Sequence, residues 1–143
     1  MELYEGDNIG SLLSVEIAHQ ADFASFNPAI FKAGKDWVNV PFVPEKARFN
    51  LGEEETKNGP LFSYGGDFFL NKLRDEVFTD LHKYIGRKAV LKLTDLNGEV
   101  YIIGAPGYPC TLAFDGGTGG NYTDANGGKY QFKTDQPFRF FRA

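Results

Sequence analysis

The chain has 143 residues and a formal net charge of −4, with 42% hydrophobic, 24% charged and 15% aromatic residues. Residues 1–143 read as one domain, and a chain of this size buries roughly two-thirds of its unfolded surface. The 14 Phe and 7 Tyr exclude a solvating disordered tail. An acidic balance without a basic cluster argues against gripping a phosphate backbone, and no apolar run approaches the ~18 residues of a membrane span.

The period-2 alternation of Leu13, Val15 and Ile17 predicts a first strand. Residues 19–34 lose that pattern and contain Asn27-Pro28 and Gly34, which predicts a loop with one short helical turn. Trp37 to Val43 alternates again, and Pro41, which has no N–H for a ladder, places this strand at an edge or a bulge. Ala47, Phe49 and Leu51 form the next apolar set. The polar run 52–59 reads as a connection closed by Asn58-Gly59. Leu61–Tyr64 and Phe68–Leu70 read as one strand interrupted by a bulge or bend at Gly65-Gly66, paired with 46–51.

The helical spacing of Leu73, Val77, Leu81 and Tyr84 or Ile85, widened by Phe78, predicts a helix over about 73–85. Gly86 stands where a left-handed C-terminal cap is expected. Ala89–Thr94 and Val100–Ile103 form a hairpin through Asp95-Leu96-Asn97-Gly98, and Thr111–Phe114 pairs with Lys129–Thr134 across a Gly-rich segment. Phe138–Phe141 reads as a last strand. The fold class is therefore α+β, mainly antiparallel β: a sandwich or barrel-like sheet of about nine short strands flanked by one helix.

The pattern Thr94-Asp95-x-Asn97-Gly98-x-x-Tyr101 recurs as Thr123-Asp124-x-Asn126-Gly127-x-x-Tyr130. Asn-Gly takes positive φ readily, and an aspartate before it can fold its carboxylate onto the turn amides, so Asp95, Asn97, Gly98, Asp124, Asn126 and Gly127 read as turn formers. Asp95, Asn97, Asp124 and Asn126 are also weak calcium-ligand candidates. Neither segment offers the glutamate at the twelfth loop position, however, and strands stand where flanking helices belong. The glycines at 116–120 lack the following Lys-Ser/Thr and helix of a phosphate loop.

Cys110 is the one cysteine, so no internal disulfide forms, and the default reading of an isolated cysteine is a small buried hydrophobe. A hydrolase built on Cys110 with His19 or His82 is a low-ranked alternative, because no sequence signature brings them together. No catalytic residue, cofactor or bound metal is expected. Phe68, Phe69, Phe138, Phe140 and Phe141 occupy adjacent as well as alternate positions and put aromatic area on both strand faces. They read as a two-layer core or as interface candidates for another subunit.

The order of WVNVPFVPEKARF (37–49), an Asn58-Gly59-Pro60 turn, a strand and a helix leads into LTDLNGEVYIIGAPGYPCTLAFDGGTG and then TDANGGKYQFKTDQPFRFF. This order resembles small proteins encoded in phage and prophage structural gene clusters of Bacteroidales bacteria. The resemblance spans about residues 36–143 and loosens over the first 35. It implies a virion component of the tail or neck, made in the host bacterial cytoplasm. In layout the chain also looks like the phage tail-tube and tail-completion fold, a resemblance of architecture alone. That fold implies a homo-oligomer, commonly a hexameric ring, contacting other virion proteins and passing DNA only as cargo, with no membrane partner. Loops 19–35, 52–60 and 115–128 would then bridge neighbouring subunits. The alternative function is a small glycan- or calcium-dependent binding module. The amino-terminal MELYEGDNIG lacks the basic start and apolar core of a signal peptide, in keeping with synthesis in a cytoplasm.

Overall fold

The structure, a computed structural model, describes residues 10–26, 29–43, 45–71, 75–86, 88–117, 120 and 127–142. Strands β1 (Leu12–His19), β4 (Val38–Val40), β7 (Ala89–Asp95) and β8 (Val100–Ile103) form one antiparallel sheet in the order β4-β1-β7-β8. Strands β5 (Ala47–Thr56), β6 (Gly59–Asn71), β9 (Thr111–Gly117) and β10 (Gly127–Gln136) form a second in the order β5-β6-β10-β9. Short strands β2 (Phe23–Ser25) and β3 (Ile30–Phe31) pair with each other. Helix α1 spans Asp75–His82. The fold is mostly antiparallel β with one short helix, as its sequence predicts.

The two large sheets share one core. Val15, Ile17, Leu91 and Leu93 of the first cluster with Tyr64, Phe68, Tyr130 and Phe132 of the second, and Leu81 and Tyr84 close one side. The other face of the first sheet carries Ala18, Val90 and Ile102, which are covered by Phe23, Phe26, Phe31, Trp37 and Phe141. That double cover explains why Ala89, Val90 and Leu91 are buried in succession where a half-buried strand would alternate. Among the described residues the second sheet has no such cover: β10 alternates between buried and exposed residues to its end.

Several expectations change. The ladder skips from Leu12 to Ser14 on β1, so Leu13 bulges out and is 60% exposed while Leu12, Val15 and Ile17 enter the core. The predicted loop 19–34 does contain a helical turn at Gln20–Asp22, but it also holds the β2–β3 pair. The strand expected over 37–43 stops at Val40, just before Pro41, and lies at a sheet edge as proline requires.

No bulge interrupts β6. Its register with β5 and β10 is continuous through Gly65 and Gly66. Gly66 is needed for close approach, because a Cβ there would lie 2.0 Å from the Arg48 carbonyl oxygen and 2.9 Å from the Phe132 ring. The polar run expected as a connection over 52–59 continues β5 to Thr56, and only Lys57 and Asn58 make the turn, with Gly59 at φ +112°.

The helix is shorter than the predicted 73–85, and Leu73 lies outside the described residues. Tyr84 N donates to Leu81 O and Ile85 N to His82 O, so the end of the helix tightens into i→i−3 turns. Gly86, at φ +98°, reverses the chain as expected. Of the two candidates for the end of the apolar stripe, Tyr84 is buried and Ile85 is exposed. Residues 138–141 form no strand; Phe141 alone bridges to Ile102.

Candidate functional site

The β5–β6 hairpin pairs ten residues on each strand, as many as β6 pairs with β10, and it outruns its sheet. The last β10 partner of β6 is Phe62, opposite Gln136, whereas β5 and β6 stay paired to Thr56 and Gly59. The tip therefore projects roughly 10 Å as a two-stranded arm. Thr56 Oγ1 donates to Gly59 O (2.6 Å) and accepts from Asn58 N (3.3 Å), which closes the turn. Residues 50–56 of β5 are exposed throughout. Both outer strands of this sheet, β5 and β9, have a strand partner on one side only among the described residues. In the first sheet the β8 edge is capped by Phe141, whose N–H donates to Ile102 O and whose carbonyl accepts from Ile102 N.

The C-terminal segment after β10 straps the arm to the body. Buried Gln136 accepts from Gly104 N (3.1 Å) and donates to Phe138 O (2.8 Å). Arg139 grips Glu53 in a two-pronged contact, Nε to Oε1 at 3.0 Å and a terminal nitrogen to Oε2 at 2.8 Å. The Tyr64 hydroxyl donates to Glu53 Oε1 (3.2 Å) and accepts from Phe140 N (3.3 Å). The Arg139 hydrogen bond holds the Glu53 carboxyl below the usual glutamate range. Burial pushes the Tyr64 phenol upward, and the nearby Glu53 charge adds to that. Arg142 pairs with Glu99 and lays its guanidinium over Tyr101 and Phe140.

This arrangement redistributes the aromatic interface candidates. Phe68 is fully buried between Tyr130 and Phe132, so it belongs to the core and cannot reach a partner. Phe69 sits half-buried on the outer face of the second sheet, with Lys46 Nζ 5.4 Å from its ring centre. Phe138, Phe140 and Phe141 are half-buried against their own chain: Phe138 against Tyr108, Phe140 against Tyr64 and Tyr101, Phe141 against Phe26. Their aromatic area serves mainly to seat the strap.

The first Asp-x-Asn-Gly turn forms as read from sequence. Asp95 Oδ1 accepts from the amides of Asn97 (2.9 Å) and Glu99 (2.9 Å), and Gly98 has φ +89°. Asp124 and Asn126 of the second turn lie outside the described residues, and Gly127 begins β10 opposite Asn71 and Gly117. Among the described residues, no three His, Cys, Asp or Glu side chains converge to hold a metal.

Cys110 is buried, and that burial drives its thiol far above the ordinary cysteine value despite a hydrogen bond from Thr134. His19 lies in its cross-strand row through Ala89, two strand spacings or about 10 Å away. The Nδ1 of His19 accepts from Ala21 N (3.0 Å), and His82 is exposed on α1.

The outer face of the second sheet holds an open groove of about 620 Å³ where Gly52, Gly65 and Ala113 leave the surface low, bordered by Asn50, Gln131 and Lys133. Reading 52–59 as a polar connection missed that Glu53 and Glu54 lie on a strand, because the run after Leu51 has no apolar alternation to mark one. No family model matches the chain, and neither a curated protein nor a solved structure matches it.

Proposed function

We propose that this protein is a non-enzymatic structural component of a phage virion, of the tail or neck, and that it acts by assembling with copies of itself and with neighbouring virion proteins. The observation that carries the reading is the projecting β5–β6 arm, whose ten-residue strand β5 has no strand partner on its outer edge among the described residues. Long open edges invite pairing with another chain, and monomeric proteins usually blunt them. Here the strap spends a charged fork and a buried tyrosine on holding the arm at a fixed angle, a rigidity that suits a docking element. The resemblance over residues 36–143 supports the virion assignment. A ring of subunits around a DNA channel fits the net charge of −4, since a passive channel should not bind the backbone.

The calcium- or glycan-binding alternative has less support, because the Asp95 carboxylate is already engaged by two turn amides. Negative-stain microscopy of the concentrated full chain tests the proposal. Rings or stacked particles of repeated subunits are expected. Uniform single-subunit particles, together with a thermal shift on adding calcium or a glycan, would replace assembly with the binding reading.

A further inference from the structure

The geometry points to one specific contact for the β5 edge from which the arm extends: two copies of the chain pair edge to edge through β5, antiparallel about a twofold axis at Leu51. Each second sheet would then continue into the other. This rests on the reading of the chain as a self-assembling component and narrows it to one strand and one register.

The parity of the free backbone groups sets which registers are available. Phe69 N donates to Lys46 O (2.9 Å), so the Lys46 carbonyl faces β6 and sets the parity of the ladder. Alternation along an antiparallel ladder then turns the N–H and C=O of Arg48, Asn50, Gly52, Glu54 and Thr56 toward β6. The groups of Phe49, Leu51, Glu53 and Glu55 face the open side. Two details agree with this parity. The Ser11 hydroxyl reaches Ala47 O (3.2 Å) from the open side. Pro60, which has no N–H, stands opposite Glu55, where the ladder needs none.

Charge and exposure then choose among the registers. An axis at Glu53 or Glu55 sets a carboxylate directly against its own copy, which is unfavourable. An axis at Phe49 needs Ala47, whose carbonyl Ser11 already occupies. An axis at Glu54 again opposes like carboxylates, and an axis at Asn50 or Gly52 leaves Arg48 opposite Gly52 or Thr56, with no opposite charge to meet. An axis at Leu51 opposes Leu51 to Leu51 of the second copy, and that side chain is 49% exposed in the single subunit. It also opposes Arg48 to Glu54 twice, at positions where facing side chains approach most closely. The Arg48 side chain is 68% exposed and touches Asp67 on its inner side at 3.4 Å. Glu54 is exposed and has no ion-pair partner among the described residues.

The contact supplies about six backbone hydrogen bonds. It buries less than the roughly 1,200 Å² of a standard interface, so it is weak in isolation and gains strength from repetition in an array.

Substitutions in the full chain test the register. Residues facing each other across such a hydrogen-bonded pair have Cα atoms about 5.5 Å apart, inside the span a disulfide bridges. Leu51→Cys is therefore expected to give a covalent dimer under mild oxidation, read on a non-reducing gel. Asn50→Cys, which points to the other sheet face and opposes Gly52 in the second copy, should stay monomeric. Buried Cys110 does not compete.

Glu54→Arg alone should weaken self-association by about tenfold, as opposed charges become like charges at two places. Adding Arg48→Glu should restore it, with circular dichroism confirming that both variants are folded. Positions 48 and 54 lie about 20 Å apart along one strand. Their rescue therefore reports a contact between chains. If the protein associates but Leu51→Cys fails to crosslink, or the double variant is no better than Glu54→Arg, this register is wrong while the assembly reading stands. If the wild type never associates, both fail.

Discussion

Replacing Gly66 by alanine should damage the hairpin far more than one methyl group suggests. The added Cβ would fall 2.0 Å from Arg48 O and 3.0 Å from Arg48 C, both backbone atoms, and 2.9 Å from Phe132 Cζ. Ordinary contact needs β5 to retreat by more than 1 Å, which stretches the ladder bonds beside Arg48 and tilts a ring that is buried beneath Gly66. Two weakened hydrogen bonds at about 1 kcal/mol each, with ~1 kcal/mol for the displaced ring, give a loss of about 3 kcal/mol.

Gly52→Ala is the matched control. Its Cβ would meet Ser63 O at 3.5 Å, an ordinary contact, on the same pair of strands. It should change stability by no more than about 0.5 kcal/mol. Urea unfolding of both variants with a shared slope measures the difference. A domain of this size has about 5–15 kcal/mol of stability, so both remain folded enough to measure. Equal midpoints for the two variants would refute close approach as the reason for the glycine.

Asp95→Ala should cost about 1–2 kcal/mol, because two turn amides lose their acceptor, whereas Asp95→Asn should keep most of that stability; thermal unfolding separates them. Cys110 should resist a thiol-directed reagent at neutral pH in the folded protein and react fully in urea, since burial holds the thiol protonated. The Glu53 carboxyl is held below its unfolded value by Arg139, so its contribution is present above the ordinary glutamate range and fades as pH falls through the lowered folded value. Glu53→Gln should therefore flatten the acid side of the stability profile and leave the profile above neutrality parallel to the wild type.

Local chemistry was legible in the sequence wherever a few neighbouring residues decide the outcome. The Asp95 turn and the reversal at Gly86 depend on side chains within four positions, and both form as read. Pro41 marks an edge because a missing N–H excludes a central strand.

The errors share a cause in long-range contacts. Glycines at 65–66 signal close approach and bending equally, and only the position of Arg48 O separates the two. The run after Leu51 looks like a loop because a two-stranded arm exposes both faces, so burial imposes no period on its residues. Phe138 to Phe141 carry the aromatic content of a strand but serve as a strap, with a single bridge to Ile102. The open edge of β5 is a property of sheet order, which no stretch of residues displays on its own.

Sedimentation velocity of the full chain, from a few micromolar to several hundred micromolar, bears most directly on the claim that this molecule is built to join others. A sedimentation coefficient that climbs with concentration toward dimers and larger closed species is the expected result. A single boundary at the monomer value across the whole range would contradict it.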